Sequence, residues 1–237
     1  MLDTTDDTKL LTNARHATTG FRFPWAFDYI QNQALPALHA TKGSTPIVIW
    51  SAACSTGSEA YALAILARCY TDDHPDARIR VIGSDKNERL VELARSEHRM
   101  LIAPGTIDEL HHIGSSLDTY TKPHPSFQPY PFMDSIHLEQ RMVTPEIADL
   151  CSFQRIDFTQ EYLRADIVLA SMALMYVENP KLHTAAVSNL ERAVNPGGFL
   201  VIIDPGNLQL TLAPVYPDNL PYYGTRAVYH KPSTSFT

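Results

Sequence analysis

Glycine is scarce in this chain, 10 residues of 237, about 4% where an average protein has about 7%. That excludes collagen-like and glycine-rich low-complexity classes, and it lets each glycine be read individually. Cysteine is scarcer still. Cys54, Cys69 and Cys151 are odd in number and make no CxxC pair, so neither a disulfide framework nor a zinc ribbon is indicated. No basic block exists: 19 Lys and Arg stand against 26 Asp and Glu, a net charge of -7. Phosphate contacts need clustered cations, so nucleic acid is a poor partner, and an anionic membrane surface is disfavoured for the same reason. No apolar run approaches the ~18 residues of a membrane span. The first seven residues are polar and acidic, unlike a signal peptide. Together these absences give the expectation of a cytoplasmic protein without nucleic-acid or membrane partners. Metal binding is not expected either: His111-His112 are adjacent and would point apart on a helix, and neither HxxxH nor HExxH occurs.

What is present is an ordinary globular composition, 44% hydrophobic and 19% charged, in a chain long enough to bury roughly 70% of its unfolded surface. Residues 1–17 are polar and read as an N-terminal arm. Helical spacing of apolar residues follows near 26–39. Pro46-Ile47-Val48-Ile49-Trp50 reads as a buried strand, Ser51 to Gly57 as a loop of small residues, and Glu59 to about Tyr70 as a helix. Arg78 to Asp85 is a second strand ending in an acid, and Asn87 is a plausible N-cap for a helix to about Glu97. This is a βαβ unit. Residues from about 103 to 157 depart from it, with His111, His112, His124 and Pro123, Pro125, Pro129 and Pro131. They read as an insertion with a short helix near Ile107–His112 and, over the weakly alternating 135–157, a small antiparallel excursion or a return strand. The α/β pattern resumes with a strand at Ala165–Ser171 and a helix from Asn179-Pro180 to about Val194. A turn at Asn195-Pro196-Gly197-Gly198 follows, then a strand at Phe199–Ile203, a proline-rich loop over 204–225 and a last strand at Arg226–Tyr229. The fold class expected is α/β: a doubly wound, mostly parallel, Rossmann-like sheet occupying residues 18–237, with a small inserted antiparallel subdomain.

Three features carry chemistry. Trp50 to Glu59 leads a strand through small residues into a helix N-terminus, where a ligand can approach backbone N–H groups. It is neither GxGxxG nor a P-loop, and one glycine suits a carboxylate or ribose better than phosphates. Asp85 ends the next strand, where an acid commonly accepts hydrogen bonds from a ribose diol; as a plain structural feature it would be an acid favoured by a helix dipole. The Asn195–Gly198 turn completes a pattern closer to a nucleoside-binding methyltransferase sheet than to a dehydrogenase.

Over about residues 16–231 the sequence resembles the CheR-type chemotaxis-receptor glutamate methyltransferases, class I enzymes that use S-adenosylmethionine (SAM). The family pattern W-S-A-x-x-S-x-G-E-E-x-Y-S stands here as Trp50 to Ala62, with Ser58 and Ala62 differing, and T-x-F-F-R stands as Thr18-Thr19-Gly20-Phe21-Arg22. The family N-L becomes Asp157-Phe158, C-R-N-V-L-I-Y-F becomes Ala170 to Val177, and K-P-G-G-x-L becomes Asn195 to Leu200.

The resemblance implies SAM as cofactor, with Thr18 and Arg22 over its methionyl end and Ala53 and Glu59 in its loop. Glu59 would lie near the methionine amino group, Asp85 on the ribose, Asp157 and Phe158 about the adenine, and Ser171 and Met172 beneath the sulfonium. Arg22 and Tyr176 are the implied catalytic pair, orienting the acceptor. Ser171-Met172 replaces the family Arg-Asn, which removes a cation and an amide. The family's N-terminal receptor-docking helical domain is expected to be lacking, because Thr18 stands near residue 1. The function expected is therefore SAM-dependent methylation of a carboxylate or other oxygen of a small-molecule, peptide or protein acceptor. Chemoreceptor glutamate methylation and a catalytically silent cofactor-binding module remain as alternatives.

Overall fold

The computed structural model describes residues 18–103, 113–123, 138–206, 208–217 and 225–233. The expected arm 1–17 and the expected helix near Ile107–His112 lie outside these residues. Helix α1 (Pro24–Tyr29) runs through a π segment (Ile30–Ala34) into α2 (Leu35–Lys42). Then follow β1 (Ile47–Ala52), α3 (Ser58–Asp73), β2 (Ile79–Asp85), α4 (Glu88–Glu97) and β3 (Arg99–Ile102). Next are α5 (Gly114–Tyr120), β4 (Thr121–Pro123), β5 (Glu139–Val143), α6 (Pro145–Ala148) and β6 (Cys151–Arg155). The chain continues with β7 (Ala165–Ser171), a 3-10 turn (Leu174–Tyr176), α7 (Pro180–Ala193), β8 (Val194–Asp204), β9 (Ala213–Pro217) and β10 (Thr225–His230).

Seven strands form the main sheet in the order β6-β2-β1-β7-β8-β10-β9. The pairs among β6, β2, β1, β7 and β8 are parallel; β10 runs antiparallel to both β8 and β9. Chain direction along the sheet reverses between β1 and β7, which makes the carboxyl ends of these two strands the switch point where a doubly wound sheet opens a crevice.

The central strands are apolar on both faces because both faces are covered. Ile47 and Ile49 of β1, Ile167 and Leu169 of β7, and Val201 and Ile203 of β8 face one core layer with α1–α3. The alternate residues Trp50, Val168, Ala170, Leu200 and Ile202 face the other, against α7. Helix α3 is buried all round, from Ser58 to Ala67, because it is wedged between the sheet and the inserted elements; a helix apolar on every side is a buried one. Helices α4 and α7 start where expected. Asn87 Oδ1 accepts from Arg89 N–H and Asn179 Oδ1 from Lys181 and Leu182 N–H, satisfying amides that have no partner within the helix.

Three expectations change. The small antiparallel sheet β3-β5-β4 spans Arg99 to Val143, whereas Cys151–Arg155 is a parallel strand of the main sheet beside β2. The inserted part is therefore narrower at its C-terminal side than 103–157. The weak alternation of Cys151–Arg155 reflects an edge strand, covered on one side only. Secondly, the proline-rich stretch after β8 contains the strand β9, which pairs through Pro217, Tyr216 and Pro214; proline is tolerated at a sheet edge. Thirdly, Asn195–Gly198 is the irregular beginning of β8 rather than a separate turn. A Cβ on Gly198 would lie 2.5 Å from the Asp166 carbonyl, so the glycine allows the strand to close on β7.

Candidate active site

Above the switch point is a cavity of about 320 Å³, lined by residues from the C-terminal ends of four neighbouring strands and from the segment before α1. The strand order lays these residues out in a row. Asp157, Phe158 and Thr159 follow β6; Asp85, Lys86 and Asn87 end or follow β2; Ala53, Ser55 and Glu59 follow β1; Ser171, Met172, Ala173, Tyr176 and Val177 end or follow β7. Thr18, Thr19 and Arg22 close over it. Three strand spacings cover roughly 14 Å, enough for a nucleoside with an amino-acid tail laid across the strand ends. All ten residues singled out from the sequence, Thr18, Arg22, Ala53, Glu59, Asp85, Asp157, Phe158, Ser171, Met172 and Tyr176, line this one cavity.

Each side chain is held for a local reason. Asp85 is buried, its Oδ2 accepting from Ser55 N–H at 3.0 Å and its Oδ1 from Asn87 N–H at 2.9 Å. One carboxylate thus locks the loop after β1 to the start of α4. Asp157 Oδ1 accepts from Thr159 N–H and Oγ1–H, and its Oδ2 from Gln160 Nε2–H, which shapes the 157–160 turn. Asn189 of α7 donates to the Phe158 carbonyl at 3.1 Å, fixing that turn from the far side.

The loop Ala53–Gly57 needs small residues because of its backbone. Ala53 (φ 60°), Ser55 (φ 53°) and Met172 (φ 54°) are in the left-handed region, as is Phe21 (φ 55°) beside Arg22. Such conformations cost on the order of 1 kcal/mol or more each and collect where a ligand must be met closely. Met172 is pinned there by its N–H, which donates to the Ile203 carbonyl at 2.6 Å. Phe21 is fully buried, 5.0 Å from the Phe27 ring, so its turn aims exposed Arg22 over the cavity. Gly20, where the family carries phenylalanine, bridges to Ile102 of the inserted sheet. A Cβ there would meet Met100 Sδ at 2.8 Å. The departure at Gly20 is thus a packing adjustment that docks this segment on β3.

Glu59 is the electrostatic centre of the site. It is buried in the first turn of α3 and accepts from Ser51 Oγ–H at 2.6 Å. Burial pushes its carboxyl up to about 7, against the opposing pull of hydrogen bonds from Ser51 and Ser171 and of the Arg22 charge. A buried acid left near neutrality fits a ligand that brings a cation, such as an α-ammonium group. Ser171, where the family has arginine, lines the same cavity as Glu59 and lowers its carboxyl pKa against the effect of burial.

Sequence reasoning overlooked Asp204. It is buried at the end of β8, accepting from Met175 N–H at 2.9 Å through Oδ2 and from Gly206 N–H at 2.9 Å through Oδ1. Burial raises its pKa, opposed by the backbone donors of Gly206, Met175 and Leu174 and by His183. It holds the 3-10 turn that carries Tyr176, itself 43% exposed. The available signal was an acid ending an apolar strand, as at Asp85. The cavity also gathers Thr19, Ser55, Lys86, Asn87, Thr159, Ala173 and Val177, loop residues with no spacing pattern to mark them. Among the described residues no three His, Cys, Asp or Glu side chains gather as metal ligands, and no helix is long and apolar enough to cross a membrane.

Residues 16–102 match the family model "CheR methyltransferase, SAM binding domain". The match covers the clasp at Thr18–Arg22, the β1 loop, Glu59 and Asp85. The chain is also 23% identical over 190 residues to a "Chemotaxis protein methyltransferase" of Vibrio parahaemolyticus, covering 78% of this chain and 62% of that protein. A "Chemotaxis protein methyltransferase 1" of Vibrio cholerae gives the same identity and coverage. The chain thus spans less than two thirds of the length of these curated relatives. Among solved structures, a TehB-like SAM-dependent methyltransferase from Corynebacterium glutamicum is 11% identical, covering 88% of this chain and 96% of that one, with a TM-score of 0.44. The glycopeptide N-methyltransferase MtfA complexed with sinefungin is 10% identical, covering 91% and 60%, with a TM-score of 0.43.

Proposed function

We propose that this chain transfers the methyl group of SAM to an oxygen, in the first place a carboxylate oxygen, of an acceptor presented beside Arg22 and Tyr176. The observation that carries this reading is Glu59, a buried carboxylate among the ten expected residues that line one cavity, a chemistry that suits the ammonium of a SAM methionyl end. In this reading Asp85 meets the ribose, and Asp157 and Phe158 flank the adenine. When bound, SAM supplies an electrophilic methyl on a sulfonium. The protein's share is positioning, which for a two-reactant step is the main catalytic contribution.

A carboxylate is ionised at neutral pH, so no general base is needed. Arg22 presents a planar fork that holds a carboxylate through two donors and directs one oxygen inward. The Tyr176 hydroxyl, on a turn fixed by Asp204, steadies the same group. Methylation of a chemoreceptor glutamate is the second reading, favoured by the names of the two Vibrio relatives.

The test is incubation with methyl-labelled SAM and a panel of carboxylic acids, peptides and chemoreceptor fragments, followed by base treatment. Base-labile label, released as methanol, supports ester formation, and the acceptor that carries it separates the two readings. Label stable to base contradicts carboxylate methylation.

A further inference from the structure

A second cavity, of about 570 Å³, opens at the other end of the sheet from the active site. It lies where strands begin: Pro46 leads into β1, Ala77 and Arg78 into β2, and Leu150 into β6. Strand β2 runs from Ile79, which lines it, to Asp85 in the active site, a span of about 20 Å.

Three arginines and one acid line this cavity: Arg68, Arg78, Arg80 and Asp72. Arg68, on α3, is already engaged. Its Nη2 pairs with Asp72 Oδ1 at 2.9 Å, and the Tyr120 hydroxyl donates to Oδ2 of the same carboxylate. Arg68 and Asp72 therefore cancel in charge, although the buried Arg68 Nε–H has no acceptor among the described residues. Arg78 and Arg80 are different. Both are exposed, and among the described residues neither guanidinium has an ion-pair, hydrogen-bond or ring partner. They stand on one face of the strand, two residues or about 7 Å apart, with Ile79 buried between them.

The edge of β2 is open beside them. Val81 N–H donates to the Leu150 carbonyl at 3.0 Å, and pairing with β6 starts at Val81–Cys151. Alternation turns the Ile79 N–H to the same side, below the first pairing with any described strand. The cavity thus joins two uncompensated cations to a backbone donor, with apolar walls at Pro46, Pro75 and Leu150.

We infer that this cavity is a second ligand site, separate from methyl transfer, for a small polyanion with adjacent phosphoryl groups. One planar carboxylate is satisfied by one guanidinium fork. Two forks about 7 Å apart on one strand call for two anionic groups on a short linkage. Tetrahedral phosphoryl oxygens point in several directions, so neighbouring phosphoryls take Arg78 and Arg80 on one side and the Ile79 N–H on another. Two free cations are too few for the long phosphate track of a nucleic acid, which agrees with the acidic balance of the chain.

Calorimetric titration of tripolyphosphate into the full chain, with saturating S-adenosylhomocysteine in the catalytic cavity, tests this. Tripolyphosphate binds at one site per chain, about tenfold or more tighter than citrate, a polyanion built from carboxylates. The double variant Arg78→Gln, Arg80→Gln weakens it about tenfold or more, with melting temperature and S-adenosylhomocysteine affinity unchanged. Arg80→Lys, which keeps the charge and loses the fork, retains part of the affinity. Arg192→Gln, an exposed cation outside this cavity, changes nothing. No binding at millimolar tripolyphosphate, binding that survives the double variant, or citrate equal to tripolyphosphate overturns the site. ATP in a parallel titration separates two sources: tighter binding than tripolyphosphate supports a nucleoside polyphosphate, and equal binding supports a phosphate chain alone. The site is independent of the methyl-transfer reading. Failure of S-adenosylhomocysteine to bind sinks only that reading, and tripolyphosphate still reports on Arg78 and Arg80.

Discussion

Glu59 and Asp85 are both buried acids, yet they do different work. Asp85 is satisfied by backbone amides from two loops. Replacing it with alanine removes a charged acceptor from the proposed ribose position and should weaken SAM binding about 10- to 100-fold, the range for hydrogen bonds to a charged group; calorimetry of the variant measures this directly. Glu59 carries a folded-state pKa raised from 4.5 to about 7. The folded chain holds that proton more tightly than the unfolded chain does. Without ligand, the stability associated with Glu59 is therefore fully present below about pH 4.5 and is lost as pH rises to about 7. Glu59→Gln should consequently raise the melting temperature of the ligand-free protein at pH 8. The upper bound is on the order of 3 kcal/mol for a shift of this size. The same substitution should weaken SAM binding and abolish its pH dependence. In the native chain SAM affinity should fall as pH drops from 8 to 6, because a protonated Glu59 no longer attracts an ammonium group. Calorimetry at the two pH values tests this, and an affinity constant across that range would detach Glu59 from the ligand's cation.

At the scale of elements, the site consists of loops at strand ends, each loop tied to a neighbour. The 3-10 turn with Tyr176 is tied by Asp204. Asp204→Asn keeps one acceptor oxygen of two and should loosen this turn by about 1–2 kcal/mol. The expected result is faster amide hydrogen exchange over residues 174–177 with SAM affinity unchanged, because Asp204 does not line the cavity. Unchanged exchange there would remove Asp204 as a positioning residue. Gly83 in β2 is a second control point. A Cβ there would meet Phe153 at 2.6 Å and Cys54 Sγ at 3.0 Å, so Gly83→Ala should cost roughly 1–3 kcal/mol by overpacking, read as a lower denaturation midpoint.

Legibility in the sequence divided at this scale. Apolar strands buried on both faces, β1, β7 and β8, and helices with asparagine caps, α4 and α7, announce themselves by run length and cap chemistry. The edge strands β6 and β9 do not, since one carries weak alternation and the other contains Pro214 and Pro217. Among site residues next to a strong strand, Asp85 is legible as a strand-end acid, whereas Ala53 and Ser171 are marked only by resemblance to CheR patterns. Asp204 was missed because Met175, the turn residue it holds, stands 29 residues away in sequence and comes beside it only when β7 and β8 pair.

For the whole molecule, the row of site residues spans four adjacent strands and the clasp before α1. A ligand that bridges them should stabilise the fold globally rather than at one loop. At 100 times its dissociation constant, SAM should add about 2.7 kcal/mol, or roughly 5–10 °C in melting temperature for a domain of this size. Differential scanning with increasing SAM checks this.

The central claim, that the cavity at the β1/β7 switch point is a SAM site organised by Glu59 and Asp85, is tested most directly by calorimetric titration of SAM into the native chain at pH 8. The account predicts one site per chain, weakened about tenfold or more in Asp85→Ala. Absence of binding at millimolar SAM would contradict it.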